Sequence, residues 1–319
     1  MAGEDVAAIP VFDLRDFSHA KLVEACEEWG CFRLVNHDVP LPLMMEMKAV
    51  VRSLLDLPTH VKTRNVDVIV GSGYMPPSAA NPLYEALGLY DMASSRAVDD
   101  FASQLDATSH QRDIIEKFAK AIHELAMDLA QKLAQGMGLV EYQFKEWPSE
   151  FRISKYSFTH ETIGTSGVQI HTDSGFLTIL QDDEDVGGLE VMDKCGTFIP
   201  VNVLPGSFVV NLGDIAKAWS NGRLCNVQHR VQCKEAKVRI SIASFLLGPK
   251  GTVVEAPAEL ISSENPRQYV PFTFEEYRKL RVTTKLQAGQ ALELVRAKPQ
   301  FSCYTEVVHQ KTIKGARNS

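Results

Sequence analysis

Apolar and polar residues follow two different rhythms along this chain, and the change falls near Pro148. Before it, apolar positions recur every three or four residues, the spacing that stacks side chains on one face of a helix. Leu22, Val23, Cys26 and Trp29 do so behind Ser18, a residue suited to cap a first turn, and Gly30 closes the run. Residues 40–57 have the same texture, and Pro58 stops them. The strongest stripe, Ile114, Ile115, Phe118, Ile122, Leu125, Leu129 and Leu133, predicts a helix from about Gln111 to Gln135, ended by Gly136. Residues 31–35 are a short apolar run that reads as a buried strand.

After Pro148 the runs shorten and become alternating or wholly apolar, the mark of strands half or fully buried in sheets. Eight are predicted, over residues 151–158, 167–171, 176–181, 189–192, 198–201, 207–212, 224–232 and 238–246. Turn residues separate them, among them residues 193–196, Leu204-Pro205-Gly206 and Ser220-Asn221-Gly222. Eight short strands so spaced suggest two Greek keys closed into a jelly roll, the double-stranded β-helix of cupins, in an α+β fold with helices packed on its outside. The expected division is a mostly helical region over residues 1–148, a jelly-roll core over 149–250, a closing segment over 251–298 and a polar tail over 299–319.

Composition narrows what such a molecule does. A chain of 319 residues buries enough core to fold without a metal or disulfide staple, so a bound metal would serve chemistry. The net charge of −7, with no clustered basic patch, argues against nucleic-acid binding, which needs phosphate neutralisation. No apolar run approaches the length of a membrane span. Met1 to Pro10 carries Glu4 and Asp5 and lacks the basic and apolar regions of a secretory leader, and the six cysteines are scattered with no Cys-x-x-Cys pair. Reduced thiols in a cytoplasmic protein are expected; whether copies associate is not readable here.

The chemistry is concentrated in the strand-rich half. His171 and Asp173 flank Thr172 at the opening of an apolar strand, and alternate residues of extended chain point the same way, so both can grip one ion. His229 would complete the set from a separate strand across the barrel. Two imidazoles and a carboxylate on one face of an octahedron leave positions open for reactants, as in non-haem Fe(II) oxygenases. Catalytic zinc also takes three protein ligands, so the triad alone leaves the ion open. A His-x-Asp triplet also arises by chance; its company decides. Arg239 and Ser241, two apart on one strand face, offer a planar fork and a hydroxyl that suit a carboxylate. A dicarboxylate with one end on the ion and the other on Arg239 and Ser241 fits this layout. The remaining histidines have no such company and read as structural or surface residues.

These motifs, with Asn221-Gly222-Arg223 and His229-Arg230-Val231 between them, resemble the plant-type 2-oxoglutarate-dependent dioxygenases. Residues 9–14 and Trp29-Gly30-Cys31-Phe32, leading to Asn36-His37, are similar to the family's N-terminal region. The resemblance implies Fe(2+) on His171, Asp173 and His229, with 2-oxoglutarate and O2 as cosubstrates that yield succinate and CO2. It implies that Tyr156 helps hold the distal carboxylate of 2-oxoglutarate. It also shows one departure, Ser154 where many members carry Asn, so a shorter hydroxyl faces the chelating end of the cosubstrate.

Residues 65–68, 88–94 and 241–249 are similar to members that oxidise auxin, which implies indole-3-acetic acid as the small-molecule substrate and 2-oxindole-3-acetic acid as the product. Such a ligand wants an aromatic slot and a cation. Phe245 shares a face with Ser241, and Phe158, Phe176 and Tyr74 are further expected walls, with Arg152 as the carboxylate partner. The same chemistry on a gibberellin or a flavonoid is one alternative. A hormone-binding barrel that has lost catalysis is another, but it predicts an eroded triad or anchor, and both are intact.

Overall fold

The computed structural model describes residues 8–286 and 288–298; the expected polar tail and Cys303 lie outside the described residues. Seven α-helices are described: α1 (His19–Glu28), α2 (Leu41–Leu55), α3 (Thr59–Lys62), α4 (Ser95–Gln104), α5 (Ser109–Gly136), α6 (Asp214–Trp219) and α7 (Phe274–Thr284). Their starts follow local chemistry. The Ser18 hydroxyl accepts from the Lys21 amide to open α1, and Gly30, at φ +65°, lets the chain turn where a Cβ would meet the Cys225 carbonyl at 2.3 Å. Helix α5 begins two residues earlier than its apolar stripe predicts, because Thr108 and Gln111 cap each other reciprocally. Its stripe is buried throughout, each large side chain contributing about 1.5–3 kcal/mol.

The strands are β1 (Val11–Asp13), β2 (Cys31–Val35), β3 (Tyr84–Tyr90), β4 (Ser149–Ser157), β5 (Ser166–His171), β6 (Leu177–Gln181), β7 (Leu189–Met192), β8 (Phe198–Pro200), β9 (Phe208–Leu212), β10 (His229–Gln232), β11 (Val238–Leu246), β12 (Val253–Val254) and β13 (Phe272–Thr273). Seven form one sheet in the order β1-β2-β9-β6-β11-β4-β3, four form a second in the order β5-β10-β7-β8, and β12 pairs with β13. This is the double-stranded β-helix expected from the strand spacing, with one correction. The N-terminal region does more than pack helices outside the barrel, since β1, β2 and β3 extend the large sheet at both its edges.

Alternation along shared strands divides the core in two. Ile179, Val210 and Ile242 face the helices, in one cluster with the α2 and α5 stripes. Their neighbours Leu180 and Val209 face the small sheet, in a second cluster with Tyr156, Leu189 and Val231. The large sheet is therefore covered on one face by helices and on the other by the small sheet. What space the second face leaves open becomes the pocket. Among the described residues no helix is both long and apolar enough to cross a membrane.

Candidate active site

His171 ends β5 and His229 begins β10, and the antiparallel register sets the two residues directly opposite each other. This corrects the expectation that His229 comes from across the barrel: it stands on the adjoining strand, with ring centroids 4.2 Å apart. Asp173 follows β5 in the turn to β6, and its Oδ1 lies 3.9 Å from His171 Nε2 and 3.7 Å from His229 Nε2. One ligand atom from each of the three lies within 4.8 Å of the others.

Neighbouring groups hold each ligand in a usable state. His171 Nδ1 is 2.9 Å from the Gln169 carbonyl and His229 Nδ1 is 3.3 Å from that of Val227. A carbonyl only accepts, so both Nδ1 atoms donate and both Nε2 lone pairs are left for an ion. Burial, and then the adjacent His229, hold His171 below the usual imidazole range, which favours the neutral form that a metal needs. The Thr178 hydroxyl donates to Asp173 Oδ2 at 2.5 Å and so turns Oδ1 toward the imidazoles. Two imidazoles with their Nε2 lone pairs free and a buried carboxylate fit a divalent iron with open positions.

Further along the same pocket stands Arg239, 1% exposed. Its Nη2 is paired with Asp182, and its guanidinium carbon lies 4.7 Å over the Tyr156 ring. Its Nε and Nη1 are buried without a hydrogen-bond partner. Burial pulls the guanidinium down, but Asp182 and Tyr156 outweigh it and leave Arg239 above its ordinary value, hence charged. Buried donors with no acceptor are costly, and a ligand carboxylate would satisfy them. The β11–β4 register pairs Arg239 with Tyr156 and Ser241 with Ser154, so the four expected cosubstrate residues share one patch of sheet. Burial pushes the Tyr156 phenol up to about 12, which keeps it a donor. The Ser154 hydroxyl lies 3.1 Å from the Tyr84 hydroxyl, so a tyrosine of the neighbouring strand β3 backs it.

The expected substrate residues fare differently. Phe245 and Arg152 line the pocket. Arg152 is no free cation, however, since its guanidinium donates to the carbonyls of Gly71 and Gly73 and to Glu150. Phe176 faces away: fully buried, it packs among Phe144, Trp147 and Trp219 on the helix side of the sheet, at centroid distances of 5.0, 5.4 and 5.2 Å. Tyr74 packs against the helix-side core with its hydroxyl 3.1 Å from Glu85, and Phe158 packs on Tyr156 and over Gly167 in the inter-sheet core. Neither lines the pocket among the described residues. Sequence reasoning passed over Thr178, Tyr84 and Asn211, all of which do. Asn211 had a signal, being an amide in the otherwise apolar strand β9; its buried Oδ1 has no partner.

Comparison with known proteins agrees with this geometry. Residues 142–248 match the 2OG-Fe(II) oxygenase superfamily, and residues 9–82 match the family described as the non-haem dioxygenase in morphine synthesis N-terminal region. A gibberellin 3-beta-dioxygenase of Pisum sativum is 31% identical over 290 residues, 86% of this chain and 76% of that protein. The chain belongs to the plant-type 2OG-Fe(II) oxygenases and is a 2-oxoglutarate-dependent dioxygenase that uses Fe(2+), 2-oxoglutarate and O2.

Within that class one kind of member stands nearer. The 2-oxoglutarate-dependent dioxygenase DAO of Oryza sativa is 52% identical over 297 residues, 91% of this chain and 99% of that protein. The crystal structure of the rice dioxygenase for auxin oxidation superposes with a TM-score of 0.84 at 51% identity, over 91% of this chain and all (100%) of that one. The 2-oxoglutarate complex of dioxygenase for auxin oxidation 1 from Arabidopsis thaliana does so with a TM-score of 0.79 at 60% identity, over 81% of this chain and 100% of that one.

Proposed function

We propose that this enzyme oxidises auxin, converting indole-3-acetic acid to 2-oxindole-3-acetic acid. The observation that carries the reading is the jump in identity, from 31% with the gibberellin enzyme to 52% with the rice dioxygenase named for auxin oxidation. The pocket is compatible with it, since Val168, Leu189, Val231 and Phe245 provide an apolar wall for a flat ring.

In this reading His171, Asp173 and His229 hold the iron, which with 2-oxoglutarate supplies activation of O2, at the cost of converting the cosubstrate to succinate and CO2. Arg239 takes the distal carboxylate of 2-oxoglutarate on its free Nε and Nη1, aided by the Ser241 and Tyr156 hydroxyls. Ser154, backed by Tyr84, adds a hydroxyl to the same pocket. The share of these residues is orientation and exclusion of water, which place the reacting carbon and keep the site dry. A cytoplasmic location belongs to the same reading, supported by the five free cysteines among the described residues.

Incubation with Fe(II), 2-oxoglutarate and indole-3-acetic acid in air should give the oxindole and succinate in equal amounts. A panel including a gibberellin and a flavonoid supplies the contrast. Succinate release with one of those and none with the auxin would overturn the substrate assignment and leave the reaction class standing.

A further inference from the structure

Helix α7 lies outside the barrel, yet its Arg281 reaches the stretch that carries His171 and Asp173, and its Tyr277 reaches Asp214 beside it. Arg281 Nη2 donates to the Thr172 carbonyl at 2.6 Å, and Nη1 lies 3.3 Å from the Thr172 hydroxyl and forms an ion pair with Asp214. The Tyr277 hydroxyl donates to the same Asp214 carboxylate at 2.7 Å.

Asp214 is wholly buried and touches both ligand-bearing segments. Its amide donates to the Asp173 carbonyl at 2.9 Å. Its Oδ1 accepts from Asn226 Nδ2 at 2.7 Å, and the residue after Asn226 is Val227, whose carbonyl orients His229. The approach is close enough that a Cβ on the preceding Gly213 would meet the Asp173 carbonyl oxygen at 2.7 Å. Asp214 thus joins the turn that presents Asp173, through its amide, to the loop that presents His229, through its carboxylate, and α7 closes on that carboxylate with a phenol and a guanidinium.

We propose that Asp214, Tyr277 and Arg281 form a latch through which the C-terminal helix holds the two ligand-bearing segments in register. They are positioning residues, and the inference rests on the metal reading given above. A buried carboxylate accepting from three donors has its geometry fixed on every side. The arginine fork is needed because it spans Asp214 and the Thr172 carbonyl at once, which an ammonium does not do. Burial and Asp214 hold the Tyr277 phenol far above its ordinary value, so it remains a donor.

The test is titration of the full-length protein with Mn(II) alone, followed by the loss of its free-ion electron paramagnetic resonance signal. Arg281→Met should weaken Mn(II) binding by about 10–100-fold, the range for partners that orient metal ligands, and Tyr277→Phe by less. Arg281→Lys should recover part of the loss. In turnover, kcat should fall while the KM for 2-oxoglutarate, set at Arg239, stays in place. A folded Arg281→Met protein with wild-type Mn(II) affinity, even one with a lowered melting temperature, would overturn the latch. If that variant does not fold, Asp214→Asn combined with Arg281→Met leaves no charge buried and carries the same test. Wild-type binding that survives His229→Ala would instead overturn the metal assignment itself.

Discussion

The two ends of the pocket are built on opposite plans. At the triad, the atoms not turned toward an ion are tied down: both Nδ1 atoms face carbonyls and Asp173 Oδ2 holds the Thr178 hydroxyl. At the other end Arg239 has one nitrogen on Asp182 and two with no partner. The triad is organised by geometry, through hydrogen bonds to adjacent backbone and to the Thr178 hydroxyl. The Arg239 end is organised by charge: it keeps a buried cation short of acceptors, at a cost of about 1–3 kcal/mol for each unmet donor, which the proposed 2-oxoglutarate carboxylate would relieve. Under the proposed function one end takes a cation and the other an anion.

Substitution at each end sharpens this contrast. The largest effect belongs to His229→Ala, which should take turnover to background and abolish Mn(II) binding while the circular dichroism stays that of the wild type, because the core does not depend on the metal. Loss of the fold on removing the metal would show that the triad is structural. Next comes Arg239→Met, expected to weaken 2-oxoglutarate by about 2–5 kcal/mol in calorimetry and leave Mn(II) affinity unchanged. It should also lower stability by about 3–5 kcal/mol, because Asp182 loses its partner. Adding Asp182→Asn should restore the stability and not the affinity; recovery of both would mean that the anchor lies elsewhere. The smallest is Thr178→Val, which frees Asp173 Oδ2 and should cost about 10-fold in Mn(II) affinity with 2-oxoglutarate anchoring intact. An equal loss at both ends would erase the distinction between them.

The long stripe of α5 and the short strands of the second half were legible because helix and strand periodicity is a local property of side-chain direction. Helix α6 was not, since six residues are too few for a period, and the expected strand over residues 224–232 shrinks to His229–Gln232. The loop before it carries Asn226, whose amide is spent on Asp214. Helix α7 was missed although its Thr273 and Glu276 form a capping box, a signal that precedes a mostly polar helix and so carries no apolar stripe. Strand β3 escaped because Glu85, Ala86 and Gly88 are weak strand formers; Gly88 is there because a Cβ would meet the Ser72 carbonyl oxygen at 1.8 Å.

The sequence by itself determined which residue types stand two apart: Arg239 with Ser241 along one strand, whose alternation puts them on one face, and His171 with Asp173 where a strand runs into a turn. Tertiary structure alone decided their partners. Register placed His229 opposite His171, packing turned Phe176 into the helix-side core, and the carbonyls of Gly71 and Gly73 took up Arg152. Side-chain direction follows from backbone period within a few residues. Whether a donor is spent or free depends on chain that returns from far along the sequence, as Asp182 does for Arg239 and α7 does for Asp214.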